Sequence, residues 1–164
     1  MDFSNEAALA EYHRIQAKRY LSIVRSAQFK IEVSLDEIAS IRETMALTGS
    51  SALDDMPHNP NANSDAVLNA VLAIEDRCSK LQQRVDEYRR ITSEADDIIS
   101  SLESHPLASV VISYYYIQGW TWKAIAYKYN KSISHLKSYV VNKALEEVYQ
   151  KMPPQYRDAI PSAL

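Results

Sequence analysis

Residues 66–104 read AVLNAVLAIEDRCSKLQQRVDEYRRITSEADDIISSLES, and this stretch decides the fold. Val67, Val71, Ile74, Cys78, Leu81, Val85, Tyr88, Thr92, Ala95, Ile99 and Leu102 follow one another in strict steps of four and three. A 3.5-residue repeat places all of them on one stripe of a helix, and a stripe sustained over several heptads is a coiled-coil seam. Charged residues such as Glu75, Arg77, Arg84, Glu87 and Arg89 fall off the stripe. Thr92 is the one polar seam position, a small residue that such a seam tolerates. Cys78 on the stripe reads as a buried apolar thiol, with only Arg77 and Lys80 as neighbouring cations.

Upstream, residues from about 5 to 47 carry the same pattern. Tyr20, Val24, Ala27, Ile31, Ser34, Ile38, Ile41 and Met45 recur by four and three, and no Pro or Gly interrupts them. Thr48-Gly49-Ser50-Ser51 is the expected helix stop, with Gly49 suited to a left-handed C-terminal residue. The connector 48–65 gathers Pro57, Pro60, Asn59, Asn61 and Asn63, residues of turns and caps, and its length predicts mobility. Two long helices with matching stripes permit an antiparallel hairpin within one chain or pairing with a second chain. Because two amphipathic helices bury little alone, a homodimer or higher homo-oligomer through residues 66–104 is expected.

The composition of the 164 residues narrows function by exclusion. Two glycines, Gly49 and Gly119, cannot build a phosphate loop, a dinucleotide fingerprint or a series of tight β-hairpins. One cysteine excludes an intrachain disulfide and a thiolate zinc site. No apolar run approaches the roughly 18 residues of a membrane span, and Met1–Glu11 lacks a signal peptide's basic and apolar regions. His13, His58, His105 and His135 fall in separate elements with no nucleophile motif. Asp54-Asp55 and Glu94, Asp96 and Asp97 lack the alternating spacing of a cation-binding loop. The expectation is an all-α cytoplasmic protein, with no membrane contact, no cofactor and no enzymatic activity.

Charge is divided unevenly along the chain. Residues 1–105 hold 18 acids and 11 bases; residues 106–164 hold 7 bases against 3 acids. A basic C-terminal third on an acidic chain suggests a polyanionic partner.

That third reads PLASVVISYYYIQGWTWKAIAYKYNKSISHLKSYVVNKALEEVYQKM over residues 106–152. Pro106 disfavours helix at His105 and is accepted in the first turn of a new one. Three helices are expected. The first, about 106–117, turns Leu107, Val110, Val111, Tyr114 and Tyr115 to one side and breaks at Gln118-Gly119. The second, about 122–129, is capped by Thr121, with Trp120 and Ile125 at the spacing of a hydrophobic staple and Ile125, Ala126 and Tyr129 inward. Asn130-Lys131 makes the turn. The third, about 133–150, is capped by Ser132 or Ser134 and buries Leu136, Val140, Ala144 and Val148.

A short helix, a tight turn and a longer helix with a polar, basic outer face form a helix-turn-helix pattern. In that geometry the start of the third helix enters the major groove of double-stranded DNA, where Ser134, His135, Lys137 and Ser138 lie nearest base edges and Asn142 follows. Lys donates to guanine and Asn pairs with adenine. Lys123, Lys128, Lys131 and Lys143, with Ser132 at the helix start, suit phosphates. The same pattern also describes a solvated face on an ordinary three-helix unit. Two of Tyr114, Tyr115 and Tyr116 are expected in the core and one on the surface; Trp120 and Trp122 are expected in core and staple.

The run Ile125-Ala126, Ser132, His135-Leu136-Lys137-Ser138 resembles the C-terminal helix-turn-helix of sigma factors. With Gly119-Trp120 and Trp122 ahead and Ala144-Leu145 behind, it is similar to small sigma-like activators of late genes in phages of Gram-positive hosts, the autolysin-regulatory-protein group. The resemblance covers most of the chain and is motif-specific over about 107–146. It implies promoter DNA binding, transcription activation, contact with host RNA polymerase and a phage- or prophage-encoded protein in a bacterial cytoplasm. This chain has Asn130 where sigma factors usually place a turn glycine, and Ala124 where they place an acid.

The expected organisation is a helical hairpin or coiled coil over 1–105, a helix-turn-helix domain over 106–152 and an irregular tail over 153–164. Two other readings stay open: a phage small terminase subunit, which also joins a helix-turn-helix to an oligomerising coiled coil, and a coiled-coil adaptor that binds no DNA.

Overall fold

A computed structural model of the chain describes residues 6–51 and 64–157, with side chains described over 6–46 and 68–157. Most of the expected connector at 48–65, with Asp54-Asp55, and the end of the tail beyond 157 lie outside the described residues. The fold is all-α, and no strand occurs among the described residues. Helix α1 spans Glu6–Ser51 and α2 spans Ser64–Ser100. Helix α3 (Pro106–Ile112) continues as a π-helical turn over Ser113–Ile117, and α4 covers Trp122–Tyr129. Helix α5 (Ile133–His135) passes through a second π-helical stretch, Leu136–Val141, into α6 (Asn142–Lys151) without a break. A 3-10 turn at Pro154–Tyr156 follows.

Thr48-Gly49-Ser50-Ser51, expected as a stop, belongs to α1. One glycine costs a helix only about 1 kcal/mol, which a long helix absorbs.

The packing divides into two units, Lys30–Arg89 and Met1–Phe29 with Arg90–Leu164. The expected boundary at 105/106 lies inside the second of these units.

In the unit Lys30–Arg89, the two stripes meet within one chain. Ile31, Ser34 and Ile38 of α1 are buried, as are Leu81 and Val85 of α2. Arg77 pairs with Glu37, and the Lys30 ammonium lies 5.4 Å over the Tyr88 ring, so the segments run antiparallel. Of the two pairings the stripes allowed, the structure has the intrachain hairpin. Cys78 on this seam is a half-buried free thiol.

The other unit has the larger core. Ala17, Tyr20, Leu21 and Val24 of α1 and Ala95 and Ile99 of α2 join Leu102, Val111, Ile112, Ile125, Leu136, Ala144, Leu145, Val148 and Met152 in one cluster. The physical cause is size. Three short helices expose too much of their own apolar surface to form a core alone, and the first half of α1 supplies the missing wall.

Two expectations are corrected in this unit. Helix α3 turns Ala108, Val111 and Ile112 inward, while Leu107 and Val110 are 37% and 40% exposed. Ala108 is small enough for α3 to pack closely on the π-helical stretch and α6. The start of the tail is also ordered. Met152 is fully buried, Tyr156 packs 5.0 Å from Tyr20, and Arg157 donates to the carbonyls of Gln150 and Met152 at 2.8 and 2.7 Å. A guanidinium that closes two carbonyls at a helix end holds the segment down.

Candidate nucleic-acid interface

Local chemistry builds the helix-turn-helix. Thr121 caps α4 in an extended conformation, its hydroxyl accepting from the Ala124 N–H at 3.2 Å. Helix α4 ends at Asn130 in the left-handed region (φ 50°, ψ 48°), and the Lys131 N–H returns to the Ala126 carbonyl at 3.0 Å. Asn is among the few non-glycine residues that adopt this conformation routinely, which explains how the turn forms without glycine. Ser132 then caps α5, accepting from the His135 N–H at 3.1 Å. Of the two serines expected as caps, Ser132 is the one used.

Behind the turn, α5, the π-helical stretch and α6 form one rod. Leu136, Val140, Val141, Ala144, Leu145 and Val148 are its buried stripe. Lys131, Ser132, Ser134, Lys137 and Ser138 are exposed, as are Lys123 on α4 and Lys143 further along the rod. This much of the expected surface comes together.

Several members also have partners within the chain. His135 is half-buried and stacks on Tyr139 at 5.2 Å. Lys143 lies 3.9 Å over the same Tyr139 ring. Lys128 donates to the Tyr114 hydroxyl at 2.8 Å and sits 4.6 and 5.0 Å over the rings of Tyr114 and Trp120. That hydrogen bond lowers the Tyr114 pKa below the usual phenol value and raises that of Lys128. Lys128 is thus an anchored cation.

Asn142 departs most from expectation. It is half-buried, and its Oδ1 is buried without a hydrogen-bond partner. A π-helical stretch has wider turns than an α-helix, so residues after Val141 are rotated from their α-helical phase. Asn142 comes to line a cavity with Lys18 of α1, Lys137 and Ser138.

All three tyrosines of Tyr114-Tyr115-Tyr116 pack on the core, so none is the surface residue expected. Tyr115 stacks on Trp122 at 4.2 Å, and Tyr114 lies 4.6 Å from Trp120. The exposed aromatics on these helices are Tyr127 at 91% and Tyr139 at 54%, which sequence reasoning did not single out. Tyr127 was readable: two residues after inward Ile125, it lies on the opposite side of a helix. Lys18 carried no such signal, because its place depends on how α1 packs.

Glu94, Asp96 and Asp97 are exposed on α2, and no cluster that could hold a metal ion occurs among the described residues. No helix among the described residues is long and apolar enough to cross a membrane. Comparison of the chain with protein-family models, curated proteins and solved structures finds no match in any of the three.

Proposed function

We propose that this chain is a sequence-specific double-stranded DNA-binding transcription regulator of the phage sigma-like late-gene activator kind. The start of the α5–α6 rod enters the major groove. One observation carries this reading: the Ser132-capped start of the rod is exposed on the face that bears Ser134, Lys137 and Ser138, while the opposite face is buried.

Ser134, Lys137 and Ser138 stand three and four residues apart and share one face. Lys137 there meets guanine O6 and N7. Lys123 and Lys131 flank the face and neutralise phosphates, which positions the rod without reading sequence. Tyr127, exposed on α4 beside these lysines, offers a hydroxyl donor to the same backbone. Lys128 steadies α4 against Tyr114 and contributes positive charge from a fixed point.

Selection of bound duplexes from a random library, followed by titration across salt concentrations, tests the proposal. The protein is expected to enrich a defined sequence. Lys137→Ala then weakens the selected site by about 1–3 kcal/mol and relaxes preference at one position, while Lys131→Ala lowers the salt slope and leaves preference intact. Absence of enrichment, together with no binding at about 50 mM salt, overturns it.

A further inference from the structure

We propose that Lys18 of α1 and Lys137 of the α5–α6 rod form a phosphate-binding site with Ser138 and Asn142, walled by Tyr115 and Trp122. These residues line one cavity of about 280 Å³. Its lining carries two ammonium groups and no carboxylate. Neither ammonium has an ion-pair or hydrogen-bond partner among the described residues; Lys137 only lies 5.1 Å over the Trp122 ring. An anion held between two ammonium groups is attracted to both.

Asn142 contributes its carboxamide: the oxygen is the end buried without a donor, which leaves the NH2 group as the end facing the cavity that Asn142 lines, a donor for a phosphate oxygen. The Ser138 hydroxyl is a further exposed donor. The Tyr115–Trp122 stack, 4.2 Å between rings, is an apolar wall that keeps water off one side and strengthens the charge interactions.

The donor set selects phosphate. A phosphate monoester carries about -1.5 to -2 charges near neutral pH and three acceptor oxygens, which matches two ammonium groups, a hydroxyl and an amide approaching from different elements. A carboxylate holds its two oxygens in one plane, whereas a phosphodiester, also with one charge, directs its two free oxygens tetrahedrally. The phosphate has two sources: the DNA backbone beside the recognition face, or a free phosphomonoester. The DNA source rests on the function proposed above. If it applies, α1 belongs to the DNA interface: Lys18 contacts the backbone from more than a hundred residues upstream of the recognition rod, and the Lys137 ammonium, with three N–H donors, meets both guanine and that phosphate.

The full chain with Trp120→Phe leaves Trp122 as its one indole. Its fluorescence is titrated with inorganic phosphate and with ribose 5-phosphate, and the salt slope of DNA binding is measured in parallel. Both are repeated for Lys18→Gln, Lys137→Gln and Lys18→Arg, each checked for native helicity and melting. A saturable Trp122 response that weakens at least tenfold in Lys18→Gln and persists in Lys18→Arg supports the site with a free phosphomonoester. No such response, but a salt slope lowered by about one in Lys18→Gln as in Lys137→Gln, supports it with the DNA backbone. Lys18→Gln unchanged in both assays, while Lys137→Gln loses DNA affinity, overturns the site and leaves the DNA reading standing. A phosphate response without any DNA binding overturns the DNA reading and keeps the site. No response to either removes both.

Discussion

The imidazole of His13 stacks on the ring of Tyr149 at 4.0 Å, 13° from parallel, and its Nδ1 shares a hydrogen bond with Glu146. An early turn of α1 is thereby fastened to α6. His13→Ala is expected to destabilise this unit by about 1–2 kcal/mol, the sum of a stacked pair and a partly exposed hydrogen bond to a carboxylate. His13→Phe keeps the stack and recovers about half of the loss. Calorimetric melting of the three proteins checks this; an unchanged Tm in His13→Ala contradicts it.

Residues 106–164 expressed alone are expected to lack a cooperative fold. Tyr20, Leu21, Val24, Ala95 and Ile99 form part of their core and would be missing. In the full chain, Leu21→Ala and Ile99→Ala, both almost fully buried, should each cost about 2–5 kcal/mol. Amide proton dispersion of the fragment and urea midpoints of the variants provide the measurements.

Tyr20 predicts an alkaline limit to stability. Its hydroxyl is buried without a partner, and burial, aided by Glu94 and Tyr156, holds its pKa well above the ordinary 10.0. The folded state therefore favours the neutral phenol. The associated stability is fully present below the unfolded value near 10.0 and is lost progressively as pH rises above it. Tyr116, raised by its own burial, acts in the same direction. Tyr20→Phe is expected to equal or slightly exceed the native protein in stability at pH 7, because it removes an unsatisfied hydroxyl, and to lose less stability above about pH 10. Urea midpoints measured against pH test both halves.

Asn130 and Ser132 set the turn. Asn130→Gly should be nearly neutral, while Asn130→Val should cost about 1–2 kcal/mol, because a β-branched residue resists the left-handed conformation. Ser132→Ala should cost about 1 kcal/mol through loss of the cap to His135. Equal melting temperatures for Asn130→Gly and Asn130→Val would contradict the conformational argument.

What could be read from the chain itself was local. The stripes from Tyr20 to Ile38 and from Leu81 to Leu102 were legible because a 3.5-residue period is a property of consecutive residues, and they are the buried faces observed. Thr121, Asn130 and Ser132 were legible for the same reason: a cap or a left-handed turn depends on one residue's side chain and its near neighbours. The basic outer face of the rod followed from its buried stripe. Tertiary structure alone decided which surfaces the stripes meet. It seated Ala17, Tyr20 and Leu21 against helices more than eighty residues away, turned Ala108 of α3 inward in place of Leu107, held Arg157 to the core and turned Asn142 into the cavity with Lys18. Helical period is a short-range regularity of one segment. Packing is a long-range competition among segments for the same apolar surface, and no single segment carries its result.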